Sequence, residues 1–102
     1  MTHKKKKIDD GQYEYRGFVI WKHPCAGCWR IFVGTPIQWV SEALRLDAAV
    51  ALIDAWYHAD DIHATIHPRF ANAVDLAKRT LCEAGEPVAC PDAHLCRHGI
   101  DN

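Results

Sequence analysis

The sequence has no apolar run near the ~18 consecutive residues of a membrane span. Its first residues, MTHKKKKIDD, lack the apolar core of a signal peptide. A cytoplasmic location without a membrane partner is therefore expected. Also missing are a glycine-rich phosphate loop, a serine nucleophile elbow and a His-Glu-x-x-His pair. These gaps remove the familiar routes to nucleotide, acyl-transfer and metalloprotease chemistry. No small-molecule substrate is apparent, and the expectation is that the chain is not an enzyme. No internal repeat is evident, which excludes solenoid architectures.

What is present is half apolar and compact in length. The 102 residues carry 49% hydrophobic side chains and four tryptophans, enough for one domain with a modest aromatic core. The net charge is -1 but unevenly placed. Residues 1–30 hold seven Lys/Arg against three acids, while residues 31–102 hold five against ten. The basic end suits an anionic partner or a solvated tail.

The clearest element is LDAAVALIDAWY, residues 46–57. Leu46, Val50, Ile53 and Tyr57 recur at helical spacing, and Ala49 and Trp56 widen the stripe. The helix is expected to start at Arg45 to Asp47, with Asp47 either as N-cap or in the first turn, where its charge suits the helix dipole. A second helix is expected from Pro68, with Phe70, Val74, Ala77, Leu81 and Ala84 on one face, ending at Gly85. Ahead of the helices, Tyr13 to Lys22 reads as one strand, with Tyr13, Tyr15, Val19 and Trp21 on one side and Gly17 permitting a bulge or a close backbone approach. Trp29 to Val33 and Ile37 to Glu42 read as two more. The expected fold is α+β: a three-stranded antiparallel meander followed by two helices, βββαα. Residues 1–12 form a flexible basic arm, 13–87 the domain, and 88–102 an irregular Cys/His-rich tail. The expected core includes Trp21, Trp29, Ile31, Ile53, Trp56, Phe70, Val74 and Leu81. Phe18 and Phe32 are left for a second apolar layer under the later helix.

Five cysteines in a reducing compartment read as thiols or metal ligands. Cys25 and Cys28 form a CxxC at an expected hairpin tip, and Cys90, His94, Cys96 and His98 cluster in the tail. Two ligands from each set would make a tetrahedral zinc site, although some sixty residues separate the clusters, far more than in a zinc ribbon. Unliganded thiols are the alternative. Redox chemistry at the CxxC is disfavoured because a strand, not a helix N-terminus, follows it. His58, His63 and His67 gather near Asp60 and Asp61, a set that suits an exposed connection better than a catalytic base. Lys4, Lys5, Lys6, Lys7, Arg16, Lys22 and Arg30 make up a candidate nucleic-acid surface of arm and sheet.

The runs Tyr13-Glu-Tyr-Arg-Gly-Phe-Val-Ile, Trp29-Arg-Ile and Leu46-Asp-Ala-Ala-Val-Ala-Leu-Ile-Asp54 resemble a pattern in small bacterial and phage-encoded proteins. Those proteins have a three-stranded sheet and one helix, and include arm-type DNA-binding modules and inhibitors of host-defence nucleases such as CRISPR effectors. The resemblance covers residues 13–57 and implies architecture and a mobile-element origin, not site residues. The expected function is that of a small non-catalytic regulatory or inhibitory factor that binds a macromolecular partner, a protein. The alternative is nucleic-acid binding through the lysine arm and the sheet, with zinc as a stabiliser.

Overall fold

A computed structural model describes residues 5–24, 27–34 and 36–85. It shows a five-stranded antiparallel sheet in chain order and two helices. The strands are β1 (Lys6–Asp9), β2 (Gln12–Tyr15), β3 (Phe18–Lys22), β4 (Trp29–Val33) and β5 (Gln38–Ala43). The helices are α1 (Leu46–Asp61) and α2 (Pro68–Glu83). The α+β class holds, but the meander has five strands rather than three, because two tight turns cut the N-terminal segment into hairpins.

The first turn is Asp10-Gly11, where Gly11 has φ +70. It folds residues expected to be a free arm back onto the sheet, with Lys6 opposite Glu14 and Lys7 opposite Tyr13. The second is Arg16-Gly17, both at positive φ (+49 and +90). Two such central residues make the hairpin turn whose twist matches that of the flanking strands. Tyr13 to Lys22 is thus two strands, with Tyr15 paired to Phe18. A two-residue turn restarts the in–out alternation. Val19 and Trp21 therefore leave the side occupied by Tyr13 and Tyr15, while Phe18 and Ile20 are fully buried. This corrects two expectations at once: Trp21 is 41% exposed rather than core, and Phe18 is a central core residue.

Both helices lie on one face of the sheet. Phe18, Ile20, Ile31, Val33 and Val40 from the strands join Ala49, Ile53, Trp56 and Tyr57 of α1 and Ala73, Val74 and Ala77 of α2 in one cluster. Each large buried side chain there contributes roughly 1.5–3 kcal/mol of transfer free energy. Trp56 stacks on Phe70 at 4.9 Å, joining the helices, and Lys78 pairs with Asp60 across them. Trp29 is half-buried against Tyr13, and Cys82 rather than Leu81 is the buried residue in the last turn of α2.

The helix limits follow local chemistry. Asp47 sits in the first turn of α1, its carboxylate accepting from the Ala48 N–H at 3.0 Å. The His67 ring nitrogen Nδ1 accepts from the Arg69 N–H at 3.1 Å, capping α2, and Pro68 takes the first helical position. Gly85, at φ +85, lies just past the Ala84 C-cap. Among the described residues, no helix is long and apolar enough to cross a membrane.

Candidate functional site

The sheet has a second face that no described helix covers. Register places the side chains on it: Val19 opposite Phe32, Trp21 opposite Arg30, Phe32 opposite Trp39 and Arg30 opposite Glu42. A bulge where β4 meets β5 takes up Val40, which turns into the core and leaves Trp39 on the open side. Trp21 and Phe32 meet edge to face at 5.4 Å. The Arg30 guanidinium lies 5.0 Å from the centre of the Trp39 ring. Trp21 and Trp39 are 41% and 49% exposed, an unusual cost for two of the largest apolar side chains.

A groove of about 400 Å³ runs from this face to the two turns at its end, with Gln12, Trp21, Lys22, His23, Arg30 and Phe32 among its walls. Asp9 and Asp10 also border it. Over the face and groove together, three cations (Lys6, Lys22, Arg30) stand against three carboxylates (Asp9, Glu14, Glu42), with Asp10 already paired to Lys7. The field is mixed rather than basic.

At the sheet edge, two carbonyls of β5 are occupied. The Trp39 indole N–H donates to the Ser41 carbonyl at 3.1 Å, and the Arg69 guanidinium donates to the Trp39 carbonyl at 3.3 Å. An edge whose acceptors are engaged is a poorer template for another strand. The other edge, β1, is exposed along all four of its residues.

The second polar cluster is structural. Arg16 points away from the open face and donates to Asp54 Oδ1 at 2.9 Å, with its guanidinium 3.9 Å above the Tyr57 ring. Tyr57 donates its hydroxyl to the Arg16 carbonyl at 2.7 Å, and Tyr15 donates to Asp54 Oδ1 at 2.6 Å. These contacts clamp the Arg16-Gly17 turn onto α1 and explain why a non-glycine residue tolerates φ +49 there. Burial pushes the Tyr15 hydroxyl up to about 12, with the bond to Asp54 adding to it. Burial does the same for Tyr57, also up to about 12, against the opposing charge of Arg16. Both phenols are therefore held neutral, the reverse of an activated tyrosine.

The remaining sequence candidates are scattered. Of the nucleic-acid set, Arg30 is on the open face with Lys6, Lys22 borders the groove, and Lys7 pairs with Asp10 at 3.2 Å. Lys5 is exposed ahead of β1, Arg16 is on the helix side, and Lys4 lies outside the described residues. Of the metal set, Cys28 is buried beside the hairpin tip, while Cys25, Cys90, His94, Cys96 and His98 lie outside the described residues. His67 is spent as a helix cap, His63 adopts φ +54 in the connector, and His58 is exposed in the last turn of α1. Sequence reasoning did not group Trp21, Phe32 and Trp39. The Arg-Gly dipeptide was the signal that could have moved Trp21 off the side of Tyr13 and Tyr15. The chain matches no family model, no curated protein and no solved structure.

Proposed function

We propose that this domain is a non-catalytic binding module that engages another protein through the open face of its sheet, acting as a regulatory or inhibitory factor by occupying its partner's surface. The observation that carries the reading is the pair of exposed tryptophans, Trp21 and Trp39, with half-buried Phe32 between them and Arg30 beside them, on a face with no covering helix among the described residues. Trp and Arg are the side chains that dominate binding energy at protein interfaces, and contiguous exposed aromatics usually mark such sites. The near-balanced charge argues in the same direction. A phosphate backbone laid along the face and groove would meet the carboxylates Asp9, Glu14 and Glu42 as well as three cations.

The test is a Trp21→Thr/Trp39→Thr variant, which keeps β-compatible residues. Partners retained by the wild-type chain are identified and the complex is rebuilt from purified components. The double variant should weaken that complex at least tenfold, whereas Asp61→Ala on the helix side should leave it unchanged. An unaffected complex would remove the sheet face from the reading.

A further inference from the structure

Of the arginines Arg16, Arg30, Arg45 and Arg69, three have an oxygen acceptor: Arg16 on Asp54, Arg45 on Asp47 and Arg69 on the Trp39 carbonyl. Arg30 has none among the described residues. Its Nε is buried without a hydrogen-bond partner, although Glu42 stands directly across on β5. The guanidinium instead leans on the Trp39 ring. Its terminal nitrogens, unlike the enclosed Nε, are what an acceptor from outside could reach, and they have no oxygen acceptor among the described residues.

The shape of the surroundings narrows what that acceptor belongs to. Five strands at ~4.8 Å spacing and about five residues at ~3.4 Å rise give a face of about 400 Å². An extended segment of a few residues fits. The groove beside Arg30, about 400 Å³ and walled by Trp21 and Phe32, has room for a large apolar side chain. A single carboxylate is accommodated where a run of phosphates is opposed by Glu14, Glu42 and Asp9.

We propose that the face captures a peptide segment of its partner in which a carboxylate pairs with Arg30 and a neighbouring large apolar side chain fills the groove beside Trp21. This rests on the protein-binding reading above and names its chemistry. The pairing uses the terminal guanidinium nitrogens end-on, because Nε is already enclosed.

The probe is a displayed library of random dodecapeptides selected on the full chain. Enriched peptides should carry Asp or Glu beside Trp, Phe or Leu. A resynthesised peptide and its Asp→Asn form (or Glu→Gln) are then titrated against the wild-type chain and Arg30→Met. Either change alone should weaken binding at least tenfold, and the second should add almost nothing to the first, the mark of direct coupling. Arg30→Met should melt no lower than wild type, which separates lost pairing from lost fold. Peptides that need Trp21 but show additive effects at Arg30 would overturn this proposal and leave the binding face standing. If no enriched peptide depends on Trp21, both fall. Labelled oligothymidylate that binds more tightly than the peptides, with a steep salt dependence lost in Arg30→Met, would replace the peptide with a nucleic acid.

Discussion

Gly17→Ala tests the central joint of the fold, where the Arg16-Gly17 turn meets the backbone of α2. A Cβ at Gly17 would lie 2.5 Å from the Ala77 carbonyl oxygen and 3.0 Å from its carbonyl carbon and Cα. None of these atoms is the end of a flexible side chain, so relief requires the hairpin or the helix to move. Gly17 also sits at φ +90. The natural control is Gly34, which has the same φ, +90, but whose added Cβ would meet only ordinary contacts at 3.5 Å, Leu76 Cδ1 and the Pro36 carbonyl. Backbone strain alone costs about 1–2 kcal/mol at either site. The overpacking adds about 1–3 kcal/mol at Gly17 alone. Gly34→Ala should thus lose about 1–2 kcal/mol and Gly17→Ala about 2–5 kcal/mol, a large part of the 5–15 kcal/mol typical of a domain. Urea denaturation followed by tryptophan fluorescence measures both, with the m-value checking that the unfolding transition is unchanged in kind. Losses equal within about 0.5 kcal/mol, close to the additivity error of such data, would refute the close approach of turn and helix.

Three further outcomes are expected. Arg30→Met should leave stability unchanged or raise it by up to about 2 kcal/mol, since it deletes an unpaired buried nitrogen worth ~1–3 kcal/mol and loses a ring contact worth ~0.5–1 kcal/mol; a clear drop in melting temperature would contradict the placement of its Nε. Tyr57→Phe should cost about 1 kcal/mol by leaving the Arg16 carbonyl without its donor; hydrogen exchange in the β2–β3 hairpin should speed up, and an unchanged rate would argue against the clamp. With the Tyr15 and Tyr57 pKa values raised to about 12 from 10.0, the folded state holds its phenolic protons more tightly than the unfolded chain. Their stabilisation is complete below pH 10 and is lost as pH rises from 10 towards 12, by on the order of 2 kcal/mol for each; Tyr57→Phe should shallow that alkaline decline, and an identical slope would refute the assignment.

The helices were legible because their signals are local. Leu46 to Tyr57 carries its own periodicity, Asp47 suits the start, and Pro68 and Gly85 bracket the second helix within a residue or two. The strands were less so. Gly17 resembles a bulge and a turn equally well until its neighbour Arg16 is known to be clamped by Asp54 and Tyr57, which lie about forty residues away. The four lysines look like a solvated arm, yet Asp10-Gly11 returns Lys6 and Lys7 to the sheet, a pairing that exists only because β2 is already held by β3.

The amino-acid sequence by itself determined the α+β class, the order of strands before helices, and the helical faces that must be buried, since periodicity and end signals act within a turn or two of chain. Only the tertiary structure decided which sheet face the described helices leave uncovered. A two-residue turn reverses every later side chain relative to a continuous strand, and the bulge at Val40 shifts the register once more. Those two one-step changes put Trp21, Phe32, Trp39 and Arg30 together on the side away from the described helices, and they depend on cross-strand pairing and on the α2 backbone against Gly17.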